Sequence, residues 1–525
     1  MSVSGPRHEA EPLVGWQRIT LSALLLYKFP HVPVGLHRDE MSEAYESYAL
    51  LHTGADRWGY HLPAYFLSWG SGQNVLQAYL NIPLVAVFGL TPLGARLLPL
   101  LLNLACLPFF FLAVRRWYGN RTALLALAFL ALSPWHIMLS RWGIENSPLP
   151  FFLALGLWTF GRALGTHSPA RILPSLLPFA LAMYTYGVVI VWAPLFVVLL
   201  LLIDLPAVRR EVRLWIGALA LFAFLTFPIF LFTVKNYVFK RDFAVERFIP
   251  FAIPLLPNSR LEEAHSDLQA SSLLHHNIKF FAFQMPDNHA NFSHLKPWYQ
   301  LPDVHSTQTI IYLLAAGASL LLLWQSFRAR RPTEPFVPWL LATVIIAASV
   351  PLNTSRAGVF YLPILALGAH GFIALVDRLH SRIQRQIACA ALACFVLVPM
   401  AKFVREYYGP VYAAEIATDF TPDMPAALAQ AHTLAGSTRA IYVSRWILLG
   451  FDDVLFDQRV NPRDYQHSGA TWNHPDFGPY LFSWGTLSQS PHPFVFILPV
   501  PDPFILCSNA QQVTHYPELQ VGVCP

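Results

Sequence analysis

The sequence predicts an all-α polytopic membrane protein of about 11 transmembrane helices, followed by a small extracytoplasmic α/β domain. Three observations predict it: too little charge for a soluble chain, a series of apolar runs of membrane length, and a change of texture after residue 406. Of 525 residues, 55% are hydrophobic and only 12% are charged, and the mean hydropathy is +0.44. Soluble domains carry roughly 25% charged residues, which excludes an ordinary cytosolic enzyme or a disordered scaffold. The net charge of +5 is scattered in short clusters between apolar runs. A nucleic-acid binder would gather it on one face, so no nucleic acid is expected as a partner. Five cysteines without a CxxC pair exclude a thiol-ligated zinc site and a redox motif.

Crossing about 30 Å of hydrocarbon takes roughly 20 apolar residues in a helix. Clear runs are Pro92–Val114, Thr122–Leu139, Leu149–Leu164, Ile172–Tyr186 and Val188–Ile203, then Leu214–Val234, Thr307–Trp324, Phe336–Val350, Val359–Val376 and Ile387–Phe403. Trp16–Pro30, with Lys28 near one end, is a weaker first span; no small-residue cleavage site follows it, so it does not read as a signal peptide. Five arginine clusters then share one side: Arg115/Arg116/Arg121, Arg162/Arg171, Arg209/Arg210/Arg213, Arg328/Arg330/Arg331 and Arg378/Arg382/Arg385. That side is cytoplasmic, with the N-terminus (Arg7, Arg18), and the C-terminus falls outside. Asn74–Gly89 would invert this parity if it spanned. It is short and contains Gln77, Asn81 and Pro83, so a helix lying in the outer interface is expected.

The outer face collects Gly35–Thr91, Ser133–Ser147, Lys235–Ser306 and Asn353–Gly358, followed by the tail. This gathering of long loops and polar residues suits an enzyme working at the outer membrane surface. The expected domains are residues 1–406 in the membrane and residues 407–525 as the small domain. In the tail, β-rich runs (Ala440–Val443, Phe494–Pro499) alternate with turn signals at Asn461-Pro462 and Asp476-Phe477-Gly478. Cys507 and Cys524 form a disulfide in an oxidising compartment or remain two free thiols. Cys106, Cys389 and Cys394 read as small apolar residues within spans. No internal repeat of the kind that halves a secondary transporter is present.

The first outer loop opens His37-Arg38-Asp39-Glu40 and continues with helical apolar spacing to Thr53-Gly54. Asp39 is either the N-cap of that helix or a general base that takes a proton from an attacking hydroxyl. In the second loop, Arg141 and Glu145 are either a solvated pair or a phosphate clamp and an acid facing the same pocket as Asp39. Arg96, at the outer end of its span, either snorkels or has a function. Arg356 sits between two spans where it can meet a lipid phosphate. Tyr184 and Tyr186 end a span at the same level, where an aromatic belt is the alternative. His265, His275, His276, His289, His294 and His305 crowd the long loop without HxxxH or HExxH spacing, so no metal site is expected.

Several of these segments resemble family 39-like glycosyltransferases. The likeness rests on Asp39-Glu40, Gly54, Trp58-Gly59, Leu62-Pro63-Ala64-Tyr65-Phe66, Trp69-Gly70-Ser71-Gly72-Gln73-Asn74, Tyr79-Leu80, Phe88-Gly89 and Arg96. It extends through Ser133-Pro134-Trp135-His136, Ser140-Arg141-Trp142-Gly143, Glu145, Tyr184-Thr185-Tyr186-Gly187, Asn353, Arg356 and Pro363, covering about Trp16–Phe403. The resemblance implies a GT-C membrane fold with interfacial helices in the first outer loop. It also implies a polyprenyl-phosphate sugar donor, with inverting and metal-independent transfer at the outer leaflet and no cofactor. The acid opening the first loop, here Asp39 with Glu40 beside it, is then the base, and Glu145 is the second acid. A lysine that some relatives carry is Gln73 here, so Arg96, Arg141 and Arg356 would have to supply charge to the donor phosphate.

The resulting expectation is a glycosyltransferase of the plasma (inner) membrane that meets membrane lipids, its donor, and a protein, glycan or lipid acceptor. The alternative is a multi-span transporter or flippase of a lipid or polar solute, which calls for ionisable residues near the midplane and paired broken helices.

Overall fold

A computed structural model describes residues 23–242, 249–261, 272–281, 309–329, 334–437, 439–444, 447, 449–483, 492–500, 507 and 509–525. Arg7, Arg18, His265, His289, His294, His305, Arg330 and Arg331 lie outside the described residues, as does the first half of the run expected over Trp16–Pro30. Residues 23–26 are helical and the chain then turns.

The helices that position the site are α1 (Arg38–Thr53), α2 (Leu76–Phe88), α3 (Pro92–Ala131), α4 (Pro134–Leu139) and α5 (Leu149–Ala163). Five helices among the described residues are long and apolar enough to cross a membrane: Pro92–Ala131, Val212–Phe239, Ile311–Arg328, Gly358–Arg378 and Arg382–Tyr407. Leu149–Ala163, Pro169–Ala182, Val189–Ile203 and Phe336–Ser349 are shorter and apolar. The 13 residues of α2 rise about 20 Å at 1.5 Å per residue, which is short of the hydrocarbon thickness. Both of its faces are tied down: Ser47 donates to the Ala78 carbonyl at 3.0 Å, and Asn81 donates to that of Gly94 at 3.0 Å.

Two expected spans are interrupted. The 40 residues of α3 are two helices meeting at Gly119, whose φ of +80° is the left-handed conformation that glycine tolerates best. The second of them stops at Ala131, so Thr122–Leu139 is not one helix. Pro134 offers no N–H and pushes Ser133 out of helical geometry (ψ 118°), and α4 restarts as a separate buried turn. Ile172–Tyr186 is likewise broken, into Pro169–Ile172, a 3-10 turn over Leu173–Leu176 and Leu177–Ala182. Cys389 and Cys394 sit exposed on the helix Arg382–Tyr407, while Cys106 is buried.

The tail holds a five-stranded mixed sheet in the order β2-β1-β3-β5-β4. Its strands are β1 (Ile441–Val443), β2 (Tyr480–Leu481), β3 (Phe494–Pro499), β4 (Gln511–His515) and β5 (Leu519–Cys524). β1 pairs in parallel with β2 and β3, and β5 runs antiparallel to β3 and β4. Asn461, expected as a turn signal, instead caps the helix Pro462–His467 by accepting from the Arg463 N–H. Cys507 is joined to Cys524, with Cα atoms 5.9 Å apart.

The segment over residues 35–91 and the tail share one core. Leu36, Met41, Ala44 and Tyr45 pack in the same cluster as Met424, Val454, Val495 and Val521. Buried charges reinforce the contact. Arg57 bridges Glu46 and Asp452, and Arg38 reaches Asp453, which also accepts from Thr421. The backbones touch as well: Leu36 donates to the Phe420 carbonyl, and a Cβ on Gly35 would lie 2.2 Å from that same oxygen. Only glycine fits there. α1 is therefore clamped between the membrane helices on one side and the tail on the other.

Candidate active site

The site is built around the first turn of α1, and its cap differs from the one expected. His37, not Asp39, occupies the N-cap: its Nδ1 accepts from the Asp39 N–H at 3.1 Å, while Glu40 reaches back to the His37 N–H at 3.0 Å. An imidazole nitrogen supplies the lone pair that Ser or Asp usually gives. Asp39 is thereby free of capping duty. Its Oδ1 accepts from the Trp69 indole at 2.6 Å, and its side chain keeps 31% exposure while Arg38 and Glu40 on either side are buried.

Glu40 and Arg96 are spent on each other. Both are buried, and they form a two-pronged pair: Nε to Oε1 at 2.8 Å and Nη2 to Oε2 at 2.7 Å. The other three N–H groups of Arg96 go to the carbonyls of Pro30, Pro33 and Gly35. Glu40 also accepts from the Gly143 N–H at 3.0 Å. All five Arg96 donors, expected to serve a donor phosphate, are used inside the protein. Glu40 likewise accepts four hydrogen bonds, which brace it against Arg96 and the backbone.

Arg141 and Glu145 do not share a pocket. Arg141 is buried, donates to the carbonyls of Val32 and Leu25 and lies against the rings of Phe29 and Tyr408. It holds the N-terminal strap through Nε and Nη1, while its Nη2 is buried without a hydrogen-bond partner. Glu145 faces the other way, accepting from the backbone and side-chain nitrogens of Asn74 (2.6 and 2.9 Å) and from Arg260 (3.1 and 2.7 Å). Arg260 also donates to the Tyr65 hydroxyl at 3.1 Å and sits over the Tyr186 ring. Sequence reasoning missed Arg260, because nothing in the spacing of the long loop distinguishes it from the loop's other cations.

Tyr186 marks the centre. Arg260, Arg356, Glu145 and Asp39 all lie close enough for their charges to act on its hydroxyl. Of the expected phosphate ligands, Arg356 is the one placed here; its Nη1 also donates to the Pro351 carbonyl at 3.0 Å. Tyr184 points elsewhere, donating to the Leu225 carbonyl at 2.7 Å. Gln73 accepts from Ser42 at 3.1 Å and braces α1. His275 and His276 lie on the helix Leu273–Lys279, and His276 pairs with the Leu352 carbonyl. Among the described residues no group of three His, Cys, Asp or Glu is placed to hold a metal ion.

One turn after Asp39, Glu43 is buried with neither carboxyl oxygen hydrogen-bonded. Burial, aided by repulsion from Glu145, Glu46 and Asp39, pushes its carboxyl well above the usual carboxylate range, against the pull of Arg57. Its surroundings thus favour the protonated form, one turn from the candidate base.

With five described helices long and apolar enough to cross a membrane, the chain is an integral membrane protein. Within it, residues 75–231 match the family model described as dolichyl-phosphate-mannose-protein mannosyltransferase, a stretch that includes Arg96, Arg141, Glu145 and Tyr186. Among solved structures, ArnT from Cupriavidus metallidurans bound to undecaprenyl phosphate is similar at 16% identity and a TM-score of 0.57, with 98% of each chain covered. Its apo state gives 16% and 0.56, covering 97% of this chain and 98% of that one. The Archaeoglobus fulgidus oligosaccharyltransferase tethered with an acceptor peptide is similar at 13% identity and a TM-score of 0.52, covering 84% of this chain and 62% of its own. No curated protein matches the sequence.

Glu40→Gln leaves Arg96 buried without a counter-charge. Loss of one partner of a buried pair typically costs about 3–5 kcal/mol, so the melting temperature in detergent should fall sharply. An unchanged melting temperature would mean the pair is not structural. For Glu43 the sign is opposite. Its folded-state pKa is raised, so its contribution to stability is full below the unfolded value of about 4.3. That contribution is lost at about 1.4 kcal/mol per pH unit as pH rises toward the folded value. Glu43→Gln escapes that loss. Its melting advantage over the natural chain should therefore grow between pH 5 and pH 8, whereas a constant difference would show Glu43 already ionised at pH 5.

Proposed function

We propose that the chain is a membrane glycosyltransferase that moves a sugar from a polyprenyl-phosphate donor to an acceptor hydroxyl, with inversion and without a metal. The observation that carries this reading is the surroundings of Tyr186: Asp39, a partly exposed carboxylate, and the arginines Arg260 and Arg356 all lie close enough to act on its hydroxyl. ArnT, the similar structure, holds undecaprenyl phosphate, which supports a lipid phosphate as the donor's carrier here.

In the step, Asp39 takes the proton of the acceptor hydroxyl as its oxygen bonds to the anomeric carbon. The bond from that carbon to the phosphate oxygen breaks, and its electron pair leaves with the polyprenyl phosphate. Attack opposite the leaving group inverts the configuration. Arg260 and Arg356 face the negative charge that grows on the phosphate. Glu145 holds Arg260 in position, and Trp69 orients Asp39. The sugar is a hexose or a close relative, and the acceptor is a protein, glycan or lipid.

The chain crosses the plasma (inner) membrane 11 times in this proposal, with a cytoplasmic N-terminus, α2 in the outer interface and the tail outside. The geometry of α3 supports that arrangement: Arg96 and Arg116 are twenty residues apart on one unbroken helix, about 30 Å at 1.5 Å per residue, the thickness of the hydrocarbon core. Tyr118 bonds Glu334 and Arg121 bonds Asp377, which brings other loops with arginine clusters to the same end. The transporter reading wants ionisable groups at midplane, whereas the buried pairs here lie in the layer of loops and tail.

Asp39→Asn tests the chemistry. Because His37 holds the cap, the substitution removes charge and basicity, at a helix-end cost of about 0.3–1 kcal/mol. Sugar transfer should fall by at least about 100-fold with the fold retained, and an active variant would place the base elsewhere. Reporter fusions after Arg116 and after Val443 should give opposite signals; matching signals would make α2 a span and invert the loops.

A further inference from the structure

Far from Arg96, where α3 approaches Gly119, the structure brings together two arginine clusters that are 46 residues apart in sequence, counted from Arg116 to Arg162. Two adjoining cavities lie between α3 and α5. One, about 380 Å³, is walled largely by apolar surface, including Leu112 and Trp158, with Arg115 at its edge. The other, about 470 Å³, is polar and lined by Thr166, His167 and Arg171. Both share Arg116, Gly161 and Arg162, so they form one amphipathic groove with guanidinium groups at the junction.

We propose that this groove binds a membrane phospholipid with an anionic phosphate headgroup, its apolar part lying along Leu112 and Trp158. The sharpest observation is how these arginines differ from Arg96. Arg96 uses all five of its N–H groups inside the protein. Among the described residues, the side chains of Arg115, Arg116, Arg162 and Arg171 donate no hydrogen bond and join no salt bridge. Arg115 and Arg162 rest on the rings of Phe111 and Trp158, which orients their planar forks without occupying their donors. Such forks match phosphate oxygens in pairs. The facing charges leave a surplus: Glu211 is taken by His167, and Asp204 lies near Arg116, so four arginines meet two carboxylates. A cavity of this size suits a small headgroup, and a basic pocket between membrane helices is where anionic lipids are held.

The full chain in uncharged detergent is titrated with short-chain phosphatidylglycerol, short-chain phosphatidylcholine and inorganic phosphate, with melting temperature as the readout. Phosphatidylglycerol should raise it saturably, while the other two at equal concentration leave it unchanged. The double substitution Arg116→Gln with Arg162→Gln should weaken that response at least about tenfold, from the loss of charge-assisted hydrogen bonds. Arg382→Gln with Arg385→Gln, a pair outside the groove, should leave it intact. If the glutamine pair fails to fold, Arg116→Lys with Arg162→Lys keeps the charge, loses the forks, and should also weaken binding. An equal loss in the Arg382/Arg385 variant would overturn the proposal in favour of diffuse surface charge. Inorganic phosphate acting as well as the lipid would reduce the groove to an ion site, and no saturable effect would remove it.

Discussion

The contact between Glu40 and Arg96 sets where everything else at this end of the helices can lie. Arg96 belongs to a membrane helix and Glu40 to the loop helix above it. Three backbone carbonyls from the strap over Pro30, Pro33 and Gly35 complete the guanidinium's hydrogen bonds. An unpaired charge at that depth would be expensive. With every donor satisfied the arrangement is stable in one geometry only, because shifting α1 by a residue would strand a buried ion. Asp39, the next residue along a helix that turns about 100° per residue, is consequently swung away from the pair toward Trp69 and the space around Tyr186.

The same logic divides the cations into two kinds. Arg141 winds the strap from below through the Leu25 and Val32 carbonyls, as Arg96 does from above. A segment with little regular structure is thus held by guanidinium-to-carbonyl bonds. Arg57 and Arg38 tie α1 to Asp452 and Asp453 of the tail. Arg260 is different: its side chain is 26% exposed, and its partner Glu145 aims it across Tyr186 rather than into a core. Proximity to an acid alone does not distinguish these roles; exposure does, since Arg141 is fully buried while Arg260 is not.

The architecture was readable because hydrophobic runs report burial directly. The long helices, the turn between Arg116 and Arg121, the short helix α2 and the β-rich runs of the tail all follow local pattern. The interruptions at Pro134 and at Pro174 and Pro178 fell inside runs whose composition stays apolar, and hydropathy is blind to a missing N–H. The site was legible in part. Asp39, Glu145 and Arg356 all lie close enough for their charges to act on the Tyr186 hydroxyl. The partners of Arg96 and Arg141 include peptide carbonyls up to 116 positions away, which no side-chain pattern encodes. His37 as a cap was hidden by the two carboxylates that follow it, which look like better caps. Arg260 and Glu43 carry no motif; one is defined by the loop that folds over the site, the other by how completely α1 is buried.

The most direct test of this division is an experimental structure of the full chain with undecaprenyl phosphate bound. The account predicts phosphate density between Arg260 and Arg356, on the side of Tyr186 that faces Asp39, with the bonds from Arg96 to Glu40 and to the strap carbonyls unbroken. Phosphate bonded to Arg96 or Arg141, with either arginine released from its carbonyls, would contradict it.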